Sequence, residues 1–308
     1  MDLTISGIFP PIPTPFDSDS ELDLVALEAN LRWWNRFALS GYVVLGSNGE
    51  APLLSRDEKR RLIESARAQI PAPRLLIAGT GDQATRSTIQ LTRDAADCGA
   101  DAALVLPPSY YKRQMTDEAL QTHFEAVADA SPIPVLIYNM PAATGLDLGA
   151  ELIAALASHD NIVGLKDSGG DLVKLAAIRR SVPDSFRLLA GSASFLFPAL
   201  ALGANGGILA LANIAPQQCL DLYAQAQASE TLLARSLQLR LVKPNTAVTR
   251  AWGVPGLKRA MDMIGLHGGP PRAPLLSLSG PSTDQLKAIL TEACILTTPI
   301  TRPEGRSE

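Results

Sequence analysis

The sequence predicts an α/β fold, a TIM (β/α)8 barrel carrying a C-terminal helical extension. Eight short apolar, β-branched runs recur along the 308 residues, with helix-like stretches between them. The runs are nearly continuous rather than alternating, as expected of parallel strands covered on both faces. Eight such βα units in one chain of this length point to a single closed barrel rather than two open sheets.

The runs follow in order. Gly7-Ile-Phe-Pro-Pro11 comes first, then Gly41-Tyr-Val-Val-Leu-Gly46 and Arg74-Leu-Leu-Ile-Ala-Gly79. Ala102-Ala-Leu-Val-Leu-Pro107, Pro134-Val-Leu-Ile-Tyr138 and Ile162-Val-Gly-Leu-Lys166 are the middle three. Arg187-Leu-Leu-Ala-Gly191 and Gly206-Gly-Ile-Leu-Ala-Leu211 complete the set. Between them, Asp23 to Trp34 spaces apolar residues by three and four, as one face of a helix does. Ser55-Arg-Asp-Glu58 reads as a capping box opening the next helix. Thr116-Asp-Glu-Ala is helix-start chemistry, and Ser181-Val-Pro-Asp is helix-stop chemistry. The last run ends near Leu211, and about ninety residues remain, mostly helical by pattern over Pro216–Leu241, Gly256–Ile264 and Ser282–Leu296. The expected organisation is therefore a barrel over 1–215, a helical extension over 216–300 and a polar, frayed tail over 301–308.

Composition narrows the function classes. Hydrophobic residues make up 46% of the chain, enough for a large core. The net charge is −4 and no long basic run exists, which argues against nucleic acid or an anionic membrane as partner. Met1-Asp-Leu-Thr-Ile-Ser6 has no basic region ahead of an apolar core, so no signal peptide is expected. Cys98, Cys219 and Cys294 are scattered and odd in number, and read as reduced, buried thiols of a cytoplasmic protein.

Barrel function gathers at the carboxyl ends of the strands. Lys166 ends the sixth run, where burial disfavours the ammonium form and a neutral amine can attack a carbonyl. The same position also suits a lysine that snorkels its head to water. Gly46-Ser-Asn-Gly-Glu50 follows the second run. Its backbone N–H groups and hydroxyl could hold a carboxylate, or it could be a tight turn that caps a helix. Gly79-Thr-Gly81 lacks the third glycine of a dinucleotide loop. Tyr138 ends the fifth run, where a phenol usually needs a partner. Tyr110 and Tyr111 are tandem, so only one can face a given site. The three histidines, His123, His159 and His267, lie at no strand end and pair at no ligand spacing. His123 and His159 are expected in surface or capping roles. No metal and no cofactor are therefore expected, and a Ser-His-Asp site lacks its histidine.

Lysine chemistry remains. A Schiff base turns a 2-keto acid into an electron sink, and needs a carboxylate clamp and a proton shuttle. Ser47 and Asn48 fit the clamp, while Tyr138, a hydroxyl such as Ser47 and a second tyrosine fit the shuttle.

Gly46-Ser-Asn-Gly-Glu50, Tyr138-Asn-Met-Pro141, Gly164-Leu-Lys-Asp-Ser168 and Gly191-Ser192 together resemble the pyruvate-dependent class I aldolases, the family of dihydrodipicolinate synthase and N-acetylneuraminate lyase. The resemblance spans nearly the whole chain. Thr144-Gly-Leu-Asp147, Ala210-Leu-Ala-Asn213 and Pro244-Asn-Thr-Ala-Val-Thr-Arg250 look most like its 4-hydroxy-2-oxoglutarate aldolases. The resemblance implies Lys166 as the Schiff-base residue, Tyr138 as the acid–base residue, and Ser47 and Asn48 at the substrate carboxylate. It also implies that Tyr111 completes the relay from a neighbouring subunit of a homotetramer, a dimer of dimers. Gly191 and Ile208 would line the pocket, and Ser168 would face the distal half of the substrate. One position departs from the family. Dihydrodipicolinate synthases place an arginine in the loop after the fifth strand, and here that position is Ala143. Loss of a bidentate donor weakens recognition of an amino-acid semialdehyde. Ala143 also lacks the polar side chain expected of the hydroxyoxoglutarate aldolases. Lys59 stands where lysine-inhibited synthases have a histidine.

The expected activity is reversible cleavage of 4-hydroxy-2-oxoglutarate to pyruvate and glyoxylate. The alternatives are dihydrodipicolinate synthase, a 2-keto-3-deoxy sugar-acid aldolase, and a silent barrel that only binds a keto acid.

Overall fold

The computed structural model describes residues 5–296. Eight strands form one parallel sheet: β1 (Gly7–Phe9), β2 (Gly41–Val44), β3 (Leu75–Gly79), β4 (Ala102–Val105), β5 (Val135–Asn139), β6 (Ile162–Asp167), β7 (Arg187–Ala190) and β8 (Gly206–Ile208). Each pairs with its neighbour in sequence from β2 to β8, and β8 pairs with β1. The gap between β1 and β2 is bridged by the chain just after β1. Val43 N–H donates to the Pro10 carbonyl at 3.0 Å, and Ile12 N–H donates to the Val43 carbonyl at 2.9 Å. Pro10 and Pro11 carry no N–H, so β1 ends at Phe9 although the apolar run continues to Pro11.

The helices are α1 (Leu24–Trp34), α2 (Arg56–Gln69), α3 (Thr85–Asp97), α4 (Asp117–Ala130), α5 (Pro141–Thr144), α6 (Ala150–Leu156), α7 (Leu172–Ser181), α8 (Leu196–Ala201), α9 (Pro216–Gln227), α10 (Thr231–Thr246), α11 (Gly253–Met263) and α12 (Pro281–Glu292). The starts follow local chemistry. The Asp23 side chain accepts from Ala26 N–H, Ser55 and Glu58 form the reciprocal capping box, and Thr116 accepts from Ala119 N–H. α7 stops at Ser181, ahead of Pro183, as the restriction on a pre-proline residue requires. The helical run expected over Pro216–Leu241 is two helices, because the chain breaks at Ala228–Glu230 with Ser229 at φ 59°. α9 packs on β1 and α8. α10 runs into a π-helical turn at Ala247–Ala251.

Two apolar layers result. Phe9, Val43, Ile77, Leu104, Leu136, Leu189 and Ile208 fill the barrel interior. A larger layer lies between strands and helices and continues without a break into the extension through Leu241, Leu257, Met261, Leu286 and Leu290.

Two expectations need correction. His123 is buried on α4, not on the surface, because its ring stacks edge-on against Phe124 and its Nδ1 meets the Thr85 hydroxyl at 2.9 Å. Cys98 and Cys219 are buried thiols, but Cys294 is exposed, beyond the end of α12. His159 does cap, as expected: its Nδ1 accepts from Asn161 N–H. Among the described residues no helix is long and apolar enough to cross a membrane. The polar tail over 301–308 lies outside the described residues.

Candidate active site

Strand register brings Tyr138 and Lys166 together. They are direct partners at the ends of β5 and β6, and Lys166 pairs on its other side with Leu189 of β7. Register partners in a parallel sheet share a face. Tyr138 and Leu189 line the barrel interior, so Lys166 points inward too. Both Lys166 and Tyr138 are 3% exposed. The Lys166 Nζ lies 3.8 Å from the centroid of the Tyr138 ring, a cation–π contact shielded from water. The amine is buried, so snorkelling does not describe it.

Ser47 reaches the pair from β2. Its Oγ lies 3.4 Å from the Tyr138 hydroxyl, long for a hydroxyl pair. Burial raises the Tyr138 phenol, but the Lys166 charge, with Ser47, Lys166 and Ser168 around the hydroxyl, outweighs it. The net displacement is downward.

The turn carrying Ser47 is tightly held. Ser47–Gly49 is a single 3-10 turn, flanked by Leu45 at φ 56° and Glu50 at φ 55°. A non-glycine residue held left-handed costs about 1–3 kcal/mol and persists only where its surroundings impose it. Here the surroundings do. Gly79 packs against the Leu45 carbonyl so closely that a Cβ there would lie 2.0 Å from the oxygen. The Thr14 hydroxyl donates to the Gly49 carbonyl at 2.7 Å. The turn does not cap a helix, since Ser55 caps α2. Asn48 is half-buried, and among the described residues its amide makes no hydrogen bond, which leaves it available.

The other expected residues divide. Gly191 sits against Ser168: a Cβ at Gly191 would fall 2.0 Å from the Ser168 Oγ and 2.7 Å from the Asp167 carbonyl. Gly191 N–H donates to that carbonyl at 2.6 Å. Ile208 ends β8 inside the barrel. Ala143 is exposed on α5, in the loop after β5. Tyr110 and Tyr111 are exposed and stack edge to face at 5.0 Å. The Tyr111 hydroxyl makes no hydrogen bond among the described residues, so a single chain does not join it to Tyr138.

A polar network beneath the site was not anticipated. Asn139 Nδ2 donates to both Asp147 and Asp167 at 2.8 Å. Lys174 bonds Asp147 and lies 3.3 Å from Asp167. Asp167 also accepts from Gly169 and Gly170 N–H groups. Strand alternation was the available signal: if Lys166 faces the barrel, Asp167 must face the helices and needs a cation there. Among the described residues no three His, Cys, Asp or Glu side chains converge as a metal-ligand set.

A barrel that directs a buried amine, a phenol and a hydroxyl to the carboxyl end of its strands suits a lyase-type enzyme. Comparison with known proteins agrees: residues 4–293 match the dihydrodipicolinate synthetase family model. The chain is 35% identical to a 4-hydroxy-tetrahydrodipicolinate synthase of Methanothrix thermoacetophila, over 94% of this chain and 98% of the relative. It is 36% identical to a probable mitochondrial 4-hydroxy-2-oxoglutarate aldolase of Emericella nidulans, over 94% and 95%. Among solved structures, it superposes on a dihydrodipicolinate synthase of Acinetobacter baumannii complexed with pyruvate. The TM-score is 0.91 at 32% identity, with 95% of this chain and 100% of that one covered. The chain belongs to the dihydrodipicolinate synthetase family.

Proposed function

We propose that the protein is a class I aldolase that reversibly cleaves 4-hydroxy-2-oxoglutarate to pyruvate and glyoxylate through a Schiff base at Lys166. The observation that carries this reading is the buried Lys166 amine, 3.8 Å from the Tyr138 ring, whose hydroxyl faces Ser47 at 3.4 Å. The amine adds to the C2 carbonyl of the keto acid and water leaves, giving an iminium. Removal of the proton from the C4 hydroxyl breaks the C3–C4 bond. The electron pair moves into an enamine, and glyoxylate departs. Protonation at C3 and hydrolysis return pyruvate and the free lysine. Tyr138 moves these protons, with Ser47 relaying, and its lowered pKa suits a group that must give and take a proton. Ser47 and Asn48 hold the C1 carboxylate. Ser168, Gly191 and Ile208 line the pocket, and Ala143 borders the distal half. The reaction uses no metal and no cofactor.

The reading includes a homotetramer in which Tyr111 of a neighbouring subunit completes the relay. The exposure of Tyr111 at 66% supports this, since a large exposed aromatic whose hydroxyl makes no hydrogen bond among the described residues suits an interface. Sedimentation gives the mass directly. A cytoplasmic location is supported by three unpaired cysteines.

Borohydride added with pyruvate should reduce the imine and leave a carboxyethyl group on Lys166. Equal labelling of wild type and Lys166→Ala would sink the mechanism. The second reading is condensation of pyruvate with aspartate semialdehyde, favoured by the 35%-identical synthase. Ala143, which offers no donor for the semialdehyde carboxylate, weighs against it. Comparing kcat/KM across an aldehyde panel separates the two, and separates both from a sugar-acid aldolase or a barrel that only binds.

A further inference from the structure

Glu50 and Lys258 form a buried ion pair that the chemistry above does not use. The Lys258 Nζ lies 2.6 Å from Glu50 Oε1, and the two side chains are 1% and 0% exposed. Glu50 closes the Ser47–Gly49 turn from its left-handed conformation. Lys258 belongs to α11 of the extension, more than two hundred residues away in sequence. The other Glu50 oxygen accepts from the Arg272 backbone N–H at 2.8 Å. Lys258 also donates to the Pro270 carbonyl at 2.8 Å. Below them the Phe16 ring is flanked by both cations, Lys258 at 4.5 Å and Arg272 at 4.2 Å. The Arg272 guanidinium is itself fixed by Glu58 at 2.6 Å and the Leu53 carbonyl at 2.9 Å.

We propose that Glu50 and Lys258 are positioning residues through which the C-terminal extension sets the Ser47–Asn48 carboxylate clamp. The inference rests on the reading that this turn binds the keto-acid carboxylate. Its physical basis is the strained backbone. Barrel groups hold the turn at Leu45 and Gly49, and the left-handed Glu50 that closes it is held by its side chain, where every grip on the carboxylate comes from the extension. A buried ion pair is a poor device for stability alone, because apolar groups of similar size often replace it without loss. As a device for orientation it is well suited, since it fixes the carboxylate by distance and direction at once. Released, Glu50 would relax, and Ser47 and Asn48 would turn away from the carboxylate while Lys166 and Tyr138, carried on strands, stayed in place.

The test is the double variant Glu50→Gln/Lys258→Met, which removes both charges together, measured beside wild type. Thermal melting, borohydride labelling of Lys166 and steady-state kinetics are read on the same preparations. The expected result is near-native melting and labelling of Lys166 at saturating pyruvate, with kcat lowered as well, because Ser47 also relays protons for Tyr138. The KM for pyruvate rises by about tenfold or more, as small misplacements of a binding group can produce. A merely structural role would lower the melting temperature and the labelled fraction while leaving KM alone, and that outcome overturns the proposal. If the double variant does not fold, Lys258→Arg, which keeps the buried cation opposite Glu50 but changes its reach, is expected to raise KM in the same direction, and an unchanged KM there counts equally against it. Absence of label in wild type removes the aldolase reading and this proposal with it. A labelled wild type with an unchanged variant KM removes this proposal alone.

Discussion

Tyr138 and Lys166 illustrate how one residue's environment sets another's chemistry. The phenol is fully enclosed, yet the cation over its ring moves its pKa down, so burial and charge act against each other on one oxygen. Tyr138→Phe keeps the ring beneath the lysine and removes only the hydroxyl. It is expected to lower kcat by about a hundredfold or more, the size of a lost general acid–base group, with little change in the KM for pyruvate. In wild type the alkaline limb of kcat/KM should fall below pH 10, the ordinary phenol value, and it should vanish in the variant. His123 shows burial acting alone. Burial pushes it down to about 4 from 6.5, and its Nε2 has no partner among the described residues. The unfolded chain therefore binds the proton first. Stability is full above pH 6.5 and falls as the pH drops towards 4, by up to about 3 kcal/mol. Denaturant titrations from pH 7 to 4 should reveal that slope, and His123→Leu should flatten it.

Elements, more than single residues, keep the site in register. β5 and β6 end in the Asn139, Asp147, Asp167 and Lys174 network, which joins two strands, the loop bearing Ala143 and the start of α7. Asp147 is drawn up by burial, but Lys174 and Asn139 bring it down overall. Asp167 is 4% exposed and Lys174 11%, so neither is well screened by water. Lys174→Met leaves the Asp167 carboxylate buried without its cation. The expected loss is about 3 kcal/mol, measured by chemical denaturation, which is large for one side chain. The extension holds a second loop in the same manner. Gln238 of α10 accepts from Phe197 N–H and donates to the Ala193 carbonyl, and Asn245 donates to the Ser192 and Ser194 hydroxyls. α10 thus fixes the turn after β7, as α11 fixes the turn after β2.

The whole molecule behaves as one unit by this account. The outer apolar layer runs from the barrel helices into α10, α11 and α12 without a gap. Asn30 of α1 exchanges two hydrogen bonds with the backbone of His267, at 2.8 and 2.9 Å. Barrel and extension should therefore melt in a single transition, with far-UV and near-UV circular dichroism coincident. A separate, earlier melting of the extension would contradict the shared core, and it would also weaken the case for the extension as the anchor of the clamp.

The barrel was readable because its signals are local. Eight apolar runs, the Ser55 box, the Thr116 cap and the Pro183 stop each act over a few residues, and each appears where the sequence places it. Lys166 and Tyr138 were readable for the same reason, since a strand end fixes where a side chain must be. The break between α9 and α10 was less visible, because no glycine or proline marks Ser229 at its left-handed turn. The burial of His123 was hidden as well, since it depends on what α4 packs against and not on the helix itself. Glu50 with Lys258, Asn139 with Asp167, and Gln238 with the loop after β7 could not be paired from sequence at all. By itself the sequence determined the strands, their order and the amine at the end of β6, because hydrophobic periodicity and turn chemistry are properties of neighbours along the chain. Only the tertiary structure decided which distant charges meet, because burial compels a charge to find a partner but leaves its choice to the fold.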